Sequence, residues 1–408
     1  MRVAVIGGGA AGQIAAIKAA ENGHRVTIFE SNEKLGKKLF ITGKGRCNVT
    51  NTADREGFFR HVVRNPRFLY SAYAHFDSAA IMSLIESAGV PLKVERGQRV
   101  FPASDHSSDI LKALERTVRK SGVTVRLNTR VSAILENGGA ISGVRVGETV
   151  EPFDAVILAT GGLSYPSTGS TGDGYRFAQM LGHTVVKPTG SLVPLETEEM
   201  WCAQLSGLTL KNVTLTVYQN GKEVYSELGE MLFTHFGVSG PLVLSASALI
   251  AESPEGTVLS IDLKPGLNEE QLDARLLRDL AANAKKTFSG ALYGLLPQKL
   301  LGVVLEAAGI DGTAQAGNCT RAQRRALCET LKGLKLHVTR ARPIAEAIIT
   351  RGGVSVREVN PSTMESKKIA NLFFAGEILD TDAFTGGFNL QIAWSTGALA
   401  GSSIPTEV

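Results

Sequence analysis

Residues 1–30 read MRVAVIGGGAAGQIAAIKAAENGHRVTIFE. An apolar, β-branched run from Val3 to Ile6 passes straight into Gly7-Gly8-Gly9-Ala10-Ala11-Gly12. An alanine-rich helical pattern follows, and after Gly23 a second apolar run, Val26 to Phe29, stops at Glu30. The order predicts strand, glycine turn, helix and strand, with an acid at the tip of the second strand. Gly7 permits the tight turn, Gly9 lets the backbone approach a pyrophosphate, and Gly12 lets the helix lie close on the sheet. The helix would then aim its unsatisfied N–H groups and positive dipole end at the phosphates. Glu30 stands eighteen positions after Gly12, where a carboxylate can accept both hydroxyls of an adenosine ribose. A 2′-phosphate would be repelled there, so FAD or NAD is favoured over NADP.

At 408 residues the chain is long enough for two or three domains. Its net charge of +4 permits anionic ligands but does not by itself imply nucleic acid or a membrane. No stretch reads as a membrane span, and the chain enters a strand without the pattern of a secretory signal. Cys47, Cys202, Cys319 and Cys328 form no C-x-x-C, which argues against a disulfide framework or structural zinc. His24, His61, His75, His106, His183 and His337 show no ligand spacing, so no metal is expected. These features together predict a cytoplasmic enzyme working in a reducing compartment.

Beyond Glu30, residues 31–51 are polar, basic and rich in glycine, too irregular for one strand or one helix. Lys37, Lys38, Lys44 and Arg46 in this loop could neutralise phosphates or a reduced flavin. Helical spacing recurs over 67–88 and 107–121, with a strand-like segment around Val90–Phe101 between them. Strands are expected at Val123–Leu127, Val131–Leu135 and Ile141–Val146, the last two joined through Asn137-Gly138-Gly139. The run Ala155-Val156-Ile157-Leu158 ends in Ala159-Thr160-Gly161-Gly162 and has the continuity of a buried parallel strand. Residues 208–218 alternate and meet a hairpin signal at Asn220-Gly221. Helices then dominate 268–335. Leu372–Ala375 returns to a buried strand, followed by Gly376-Glu377, Gly386-Gly387 and a small-residue helix.

The boundaries that follow are a Rossmann-like α/β domain from residues 1–190 and 345–408, with an inserted domain at 191–344. The insert divides into a β-rich part (191–265, antiparallel and barrel-like) and a helical part (266–344).

With these residues assembled, the chain resembles a family of bacterial FAD-binding oxidoreductases, related more distantly to the glutathione-reductase-like flavoproteins. Some members are 3-dehydro-bile-acid reductases and others are aminoacetone-oxidase-like proteins. The matching stretches are Val5–Glu30, Thr42–Asn51, Ala159–Gly162 with Gly169–Gly174, Thr234–Pro241, and the tail from Val359 to Trp394. The resemblance implies that Gly7, Gly9, Ala10, Ala11 and Gly12 hold the pyrophosphate, and that Glu30 with Ser31 holds the ribose. It places Lys37, Thr42, Gly43, Gly45, Arg46, Cys47 and Asn48 along the cofactor. It further implies a backbone contact to adenine at Val131, and contacts from Thr160, Gly161, Asp173, Gly376, Glu377, Gly387, Asn389 and Leu390. Related families usually carry Gly-Asp where this chain has Gly376-Glu377.

Hydride transfer to a flavin puts negative charge on its N1 and C2 carbonyl, and a helix N-terminus near Leu390 would stabilise that charge. Only one dinucleotide fingerprint is present, so NADH or NADPH is expected to dock transiently. The reaction expected is hydride transfer from nicotinamide through flavin N5 to an electron-poor C=C of a small organic substrate. The alternatives are an FAD-dependent amine oxidase using oxygen, and an RNA-associated flavoprotein. Three side chains are catalytic candidates: Cys47 as a thiol, His235 as a proton donor, and Tyr165 as a proton donor to an enolate. Each has a structural reading beside it, such as a small packed residue for Cys47 or a hydrogen-bonded ring for His235. The basic run Arg321, Arg324, Arg325, Lys332, Lys335, Arg340 and Arg342 is the candidate RNA surface, but it lacks interleaved aromatics. No nucleic-acid or membrane partner is expected, and the sequence assigns no oligomeric state.

Overall fold

The opening residues form the centre of a sheet. In the computed structural model, which describes residues 1–406, β1 (Arg2–Ile6) leads into α1 (Ala10–Glu21) and β2 (Arg25–Phe29). Parallel partners are added by β3 (Thr124–Arg126), β4 (Ala155–Leu158) and β5 (Leu372–Phe374), in the order β5-β4-β1-β2-β3. Val3, Ala4, Val5 and all of β4 and β5 are buried, as an apolar run without alternation requires when both sheet faces are covered. The C-terminal strand thus lies two places from the N-terminal one.

The chain ends also meet through helices. Ahead of the last one, α2 spans Lys37–Gly45, and α3 spans Phe388–Ser402. A Cβ placed on Gly397 or Gly401 would come within 2.4 Å of Ala11 O or 2.2 Å of Ala15 O. So α1 and α3 touch backbone to backbone, and the small residues of both are the reason they can. Trp394, fully buried on α3, donates its indole N–H to Val49 O at 2.8 Å and ties the helix to the segment after α2.

The chain divides into two compact units, residues 1–191 with 344–408 and residues 192–343. The first holds the parallel sheet, an antiparallel meander over Val131–Asn137, Ala140–Val146 and Thr149–Pro152, and smaller pairs such as Val185–Ser191 with Ile349–Val354. The second holds a closed antiparallel barrel of six strands, the longest being Thr209–Gln219 and Lys222–Thr234. Val213, Leu215 and Val217 point into that barrel's core while their neighbours are more exposed, the period-two pattern of a half-buried strand. Helices at Glu269–Ala282, Gln298–Ala307 and Arg321–Lys332 complete the unit, two of them opened by capping boxes at Asn268/Gln271 and Thr320/Gln323.

The fold class is the one anticipated, a Rossmann-like α/β domain from both chain ends plus a barrel and helices. Local details differ. The periodic stretch 67–88 is three short pieces, Pro66–Leu69, Tyr70–His75 and Ser78–Ser87, because Asp77 caps a new helix by accepting from Ala80 N–H. The segment around Val90–Phe101 is a hairpin, Leu92–Glu95 with Arg99–Pro102. The stretch 31–51 contains a helix, α2, rather than loop throughout.

Candidate cofactor site

The glycine turn after β1 is built by contacts that leave no room for side chains. Gly7 has φ +102°, and a Cβ there would lie 2.5 Å from Ala159 O, at the end of β4. A Cβ on Gly12 would lie 1.9 Å from Gly7 O, so α1 starts against the turn itself. Gly9 differs: a Cβ on it would meet nothing within 4 Å. The turn is therefore tight on the protein side at Gly7 and Gly12 and open at Gly9, where the N-terminus of α1 presents the N–H groups of Ala10, Ala11 and Gly12.

Glu30 caps this turn as well as ending β2. Its carboxylate accepts from Gly8 N–H at 2.8 Å, from Asn32 N–H at 2.8 Å and from the Asn32 amide at 2.8 Å. The Ser31 hydroxyl lies 3.4 Å away. The backbone of Glu30 is bonded to Arg126 and Thr129, which brings the chain leading to Val131 alongside. Lys37 reaches Asn32 and Glu33, both at 3.3 Å.

The last turn of α2 is not helical in its dihedrals. Thr42 is extended (φ −64°, ψ 150°), and Gly43 and Lys44 are left-handed. The turn continues through Gly45 to Cys47, which also has positive φ and is fully buried. Burial pushes the Cys47 thiol up to about 12, with a hydrogen bond to Thr42 opposing. The Arg46 guanidinium is paired with Glu95 and Asp105 and lies 4.1 Å over the Phe101 ring. Asp173 is likewise held by Arg130, two bonds of 2.9 Å each.

Several buried polar atoms of the described residues have no hydrogen-bond partner, and among them are Gln13 Oε1, Asn48 Oδ1 and Thr160 Oγ1 on the segments just described. Buried polar groups are normally paired, so an unpaired amide or hydroxyl on each of these segments is open to a polar ligand. Gln13 stands on α1, Asn48 follows the left-handed turn, and Thr160 lies in the β4 turn beside left-handed Gly161. An open glycine turn at a helix N-terminus, a carboxylate at the tip of β2 and unpaired amide and hydroxyl groups fit the phosphates, ribose and polar edges of FAD.

The C-terminal part is organised by Gly376-Glu377. Gly376 N–H donates to Thr396 Oγ1 at 2.9 Å, anchoring the turn to α3. Glu377 accepts from Lys38 Nζ at 2.7 Å, Ser164 Oγ at 2.8 Å and Thr350 N–H at 2.7 Å, while Lys38 also donates to Ser164 Oγ at 2.6 Å. Burial pushes the Glu377 carboxyl upward, but Lys38, Thr350 and Ser164 outweigh it and hold it below the ordinary range. This four-segment network is absent from the sequence reading. Lys38 was visible only as one basic residue among several, and its partners lie 126 and 339 positions away. Two further acids are buried in this part of the chain: Asp380 pairs with Arg64 at 2.6 Å, and fully buried Asp382 accepts from Ser191 at 2.9 Å. At the start of α3, Gly387 has φ +100°, and a Cβ there would meet Thr50 O at 2.4 Å. The Asn389 side chain is spent on its own turn, bonded to Ala383 N–H (2.9 Å) and Ala383 O (2.7 Å), which leaves backbone N–H groups up to Leu390 as the donors of that end.

The cofactor residues nominated from sequence all fall in the first unit. The catalytic nominees are divided between the two units, Cys47 and Tyr165 in the first and His235 in the second. Tyr165 is half-buried in the first unit at φ +50°, its phenol pushed up by burial. His235 is exposed on the barrel unit, edge-on to Phe236 at 5.0 Å. Among the described residues no cluster of His, Cys, Asp and Glu is arranged to hold a metal, and no helix is long and apolar enough to cross a membrane.

Known proteins place this geometry. Residues 1–403 match the HI0933-like protein Rossmann domain. The chain is 33% identical over 407 residues to a 3-dehydro-bile acid delta(4,6)-reductase of Clostridium scindens, covering 98% of each. It is 32% identical over 409 residues to a ribosomal RNA dihydrouridine synthase of Haemophilus influenzae, covering 99% of this chain and 98% of that one. Among solved structures, a 3-ketosteroid delta1-dehydrogenase from Sterolibacterium denitrificans shares the fold, with TM-score 0.52, 14% identity and 98% of each chain covered. The turn, the acid and the match along the whole chain agree: the chain belongs to the HI0933-like Rossmann family and is an FAD-dependent oxidoreductase.

Proposed function

We propose that the chain saturates a carbon–carbon double bond conjugated with a carbonyl, using reducing equivalents from NADH or NADPH. FAD, when bound, would supply the hydride chemistry; the acceptor as a whole would gain a hydride at its β-carbon and a proton at its α-carbon. The observation that carries this reading is the pair of relatives. A delta(4,6)-reductase acts on double bonds conjugated with a ketone, and dihydrouridine is uridine whose C5=C6 bond, conjugated with the C4 carbonyl, has been saturated.

In this reading Gly7, Gly9, Ala10, Ala11 and Gly12 hold the pyrophosphate, and Glu30 holds the ribose on a carboxylate already fixed by Gly8 and Asn32. Thr160 and Asn48 supply the unpaired polar atoms. The first turn of α3 would offer its positive end to the flavin ring. Tyr165, half-buried in the first unit and protonated as a phenol is at neutral pH, is the side chain assigned to donate toward the acceptor α-carbon; burial raises its phenol, which weakens it as an acid.

Two acceptor classes satisfy this chemistry. The first is a small conjugated ketone. The second is uridine in RNA, favoured by the 32% identity to a ribosomal RNA dihydrouridine synthase over the full chain. Anaerobic titration of the FAD-loaded protein with NADH and NADPH tests the common part. Rapid bleaching of the flavin by one of them is expected; bleaching by amines alone would transfer the protein to the amine-oxidase class.

A further inference from the structure

The basic run nominated from sequence as an RNA surface is largely neutralised within its own unit. Arg324 is bonded to Asp273 at 2.6 Å and Arg325 to Glu329 at 2.8 Å. Lys332 pairs with Asp262, and Arg340 and Arg342 both pair with Glu196 at 2.7 Å. These charges serve the insert's own structure. The first unit carries a different concentration of arginine, in REGFFRHVVRNPRFLY, residues 55–70.

This segment has two sides. Inward, His61 stacks on Phe388 at 4.2 Å and 14°, and Arg64 pairs with Asp380 at 2.6 Å. Phe384 N–H donates to His61 O, so the segment is stitched to the loop that opens α3. Outward, Arg55, Arg60 and Arg67 are exposed, and the guanidinium of Arg55 lies 5.5 Å over the ring of Tyr70. Tyr70 is 43% exposed and has Phe59 edge-on at 4.5 Å. The acids here are Asp54, which caps the helix Arg55–His61, and exposed Glu56, 3.4 Å from Arg60. A second arginine-bearing turn, Arg96–Arg99, borders the same loop: the Asn51 amide donates to both Gly97 O (2.9 Å) and Gly386 O (3.0 Å). Arginines with an accessible aromatic ring are the elements by which a protein holds single-stranded nucleic acid, charge for the phosphates and a π-face for a base.

We propose that this strip, Arg55, Arg60, Arg67 and Tyr70 with the turn at Arg96 and Arg99, is where a single-stranded RNA segment docks and presents its base to the redox centre. The proposal rests on the uridine reading above. Its geometric support is that the first arginine-bearing segment is bonded to Phe384 and the second is linked through Asn51 to Gly386, immediately ahead of α3, while Arg324, Lys332, Arg340 and Arg342 of the insert are held in ion pairs of their own.

The test uses the full-length FAD-loaded protein and a fluorescein-labelled RNA hairpin with a uridine-bearing loop, read by fluorescence anisotropy across a salt series. R55Q/R60Q/R67Q is expected to bind at least tenfold more weakly at moderate salt, with the log–log salt slope flattened by about 2, since each lost single-strand phosphate contact removes about 0.7. Y70A is expected to weaken binding several-fold with an unchanged slope, because stacking carries no counterion. R321Q/K335Q in the insert is expected to bind like the wild type. Flavin content and thermal midpoint should be the same in all four proteins. Wild-type affinity in R55Q/R60Q/R67Q would overturn the docking strip while leaving the uridine reading in place. Absence of binding by the wild-type protein itself would overturn both.

Discussion

Cys47 shows how placement settles what a side chain can do. A thiol pushed up to about 12 by full burial carries almost no thiolate near neutral pH, and the thiolate is the reactive form. C47A should therefore keep its flavin and its turnover within about threefold, the small loss reflecting packing rather than chemistry. A large fall in turnover with flavin content intact would return the thiol to the reaction. Gly9 makes the converse case. Its missing Cβ faces open space and its dihedrals suit any residue, φ −76° and ψ −164°, so G9A has no structural reason to unfold. The protein should keep its thermal midpoint in the absence of flavin and lose at least tenfold in FAD affinity; undiminished affinity would mean that no ligand approaches there.

Elements differ in how openly the sequence announces them. β1, α1 and β2 were legible because strand, turn, helix and acid are contiguous, with Gly7 and Gly12 in the close contacts their positions require and Gly9 left open. The left-handed end of α2 was not, since Lys44 and Cys47 adopt positive φ without being glycine and surrounding structure imposes it. The Lys38–Glu377 pair was not legible either, because it joins α2 to the turn after β5 and depends on Ser164 and Thr350, which carry no local signal. Both side chains are only about one-fifth exposed, 23% and 20%. K38M leaves a buried carboxylate without its cation and should cost about 3 kcal/mol in urea unfolding. K38M/E377Q should recover part of that loss, and a strictly additive double variant would deny the pair its coupling. The sign of the pH effect follows from the lowered carboxyl. Its stabilisation is complete above the unfolded value of 4.5 and disappears as pH falls through the lower folded value, so E377Q should flatten that acid limb.

At the scale of the molecule, the two ends of the chain make one cofactor domain, and the rest of the first unit is hung on it. That much could be read from a strand-turn-helix at residue 3 and another beginning at Leu372. The chemistry could be read less far, because a family fold fixes where hydride is exchanged but not the acceptor. Cys47, Tyr165 and His235 stand out in the sequence by intrinsic reactivity alone. The buried networks around Glu377 and Asp382 arise from contacts between segments hundreds of positions apart, which no local pattern encodes. The claim that unites these scales is that reducing equivalents end on a double bond conjugated with a carbonyl. Its most direct test is an anaerobic stopped-flow measurement, in which FAD-loaded protein reduced beforehand is mixed with a uridine-bearing RNA or a conjugated steroid ketone. The visible flavin band should return with one of these acceptors, and the recovered product should carry an added hydride and proton. Return of the band only when oxygen is admitted, with both acceptors unchanged, would contradict the account.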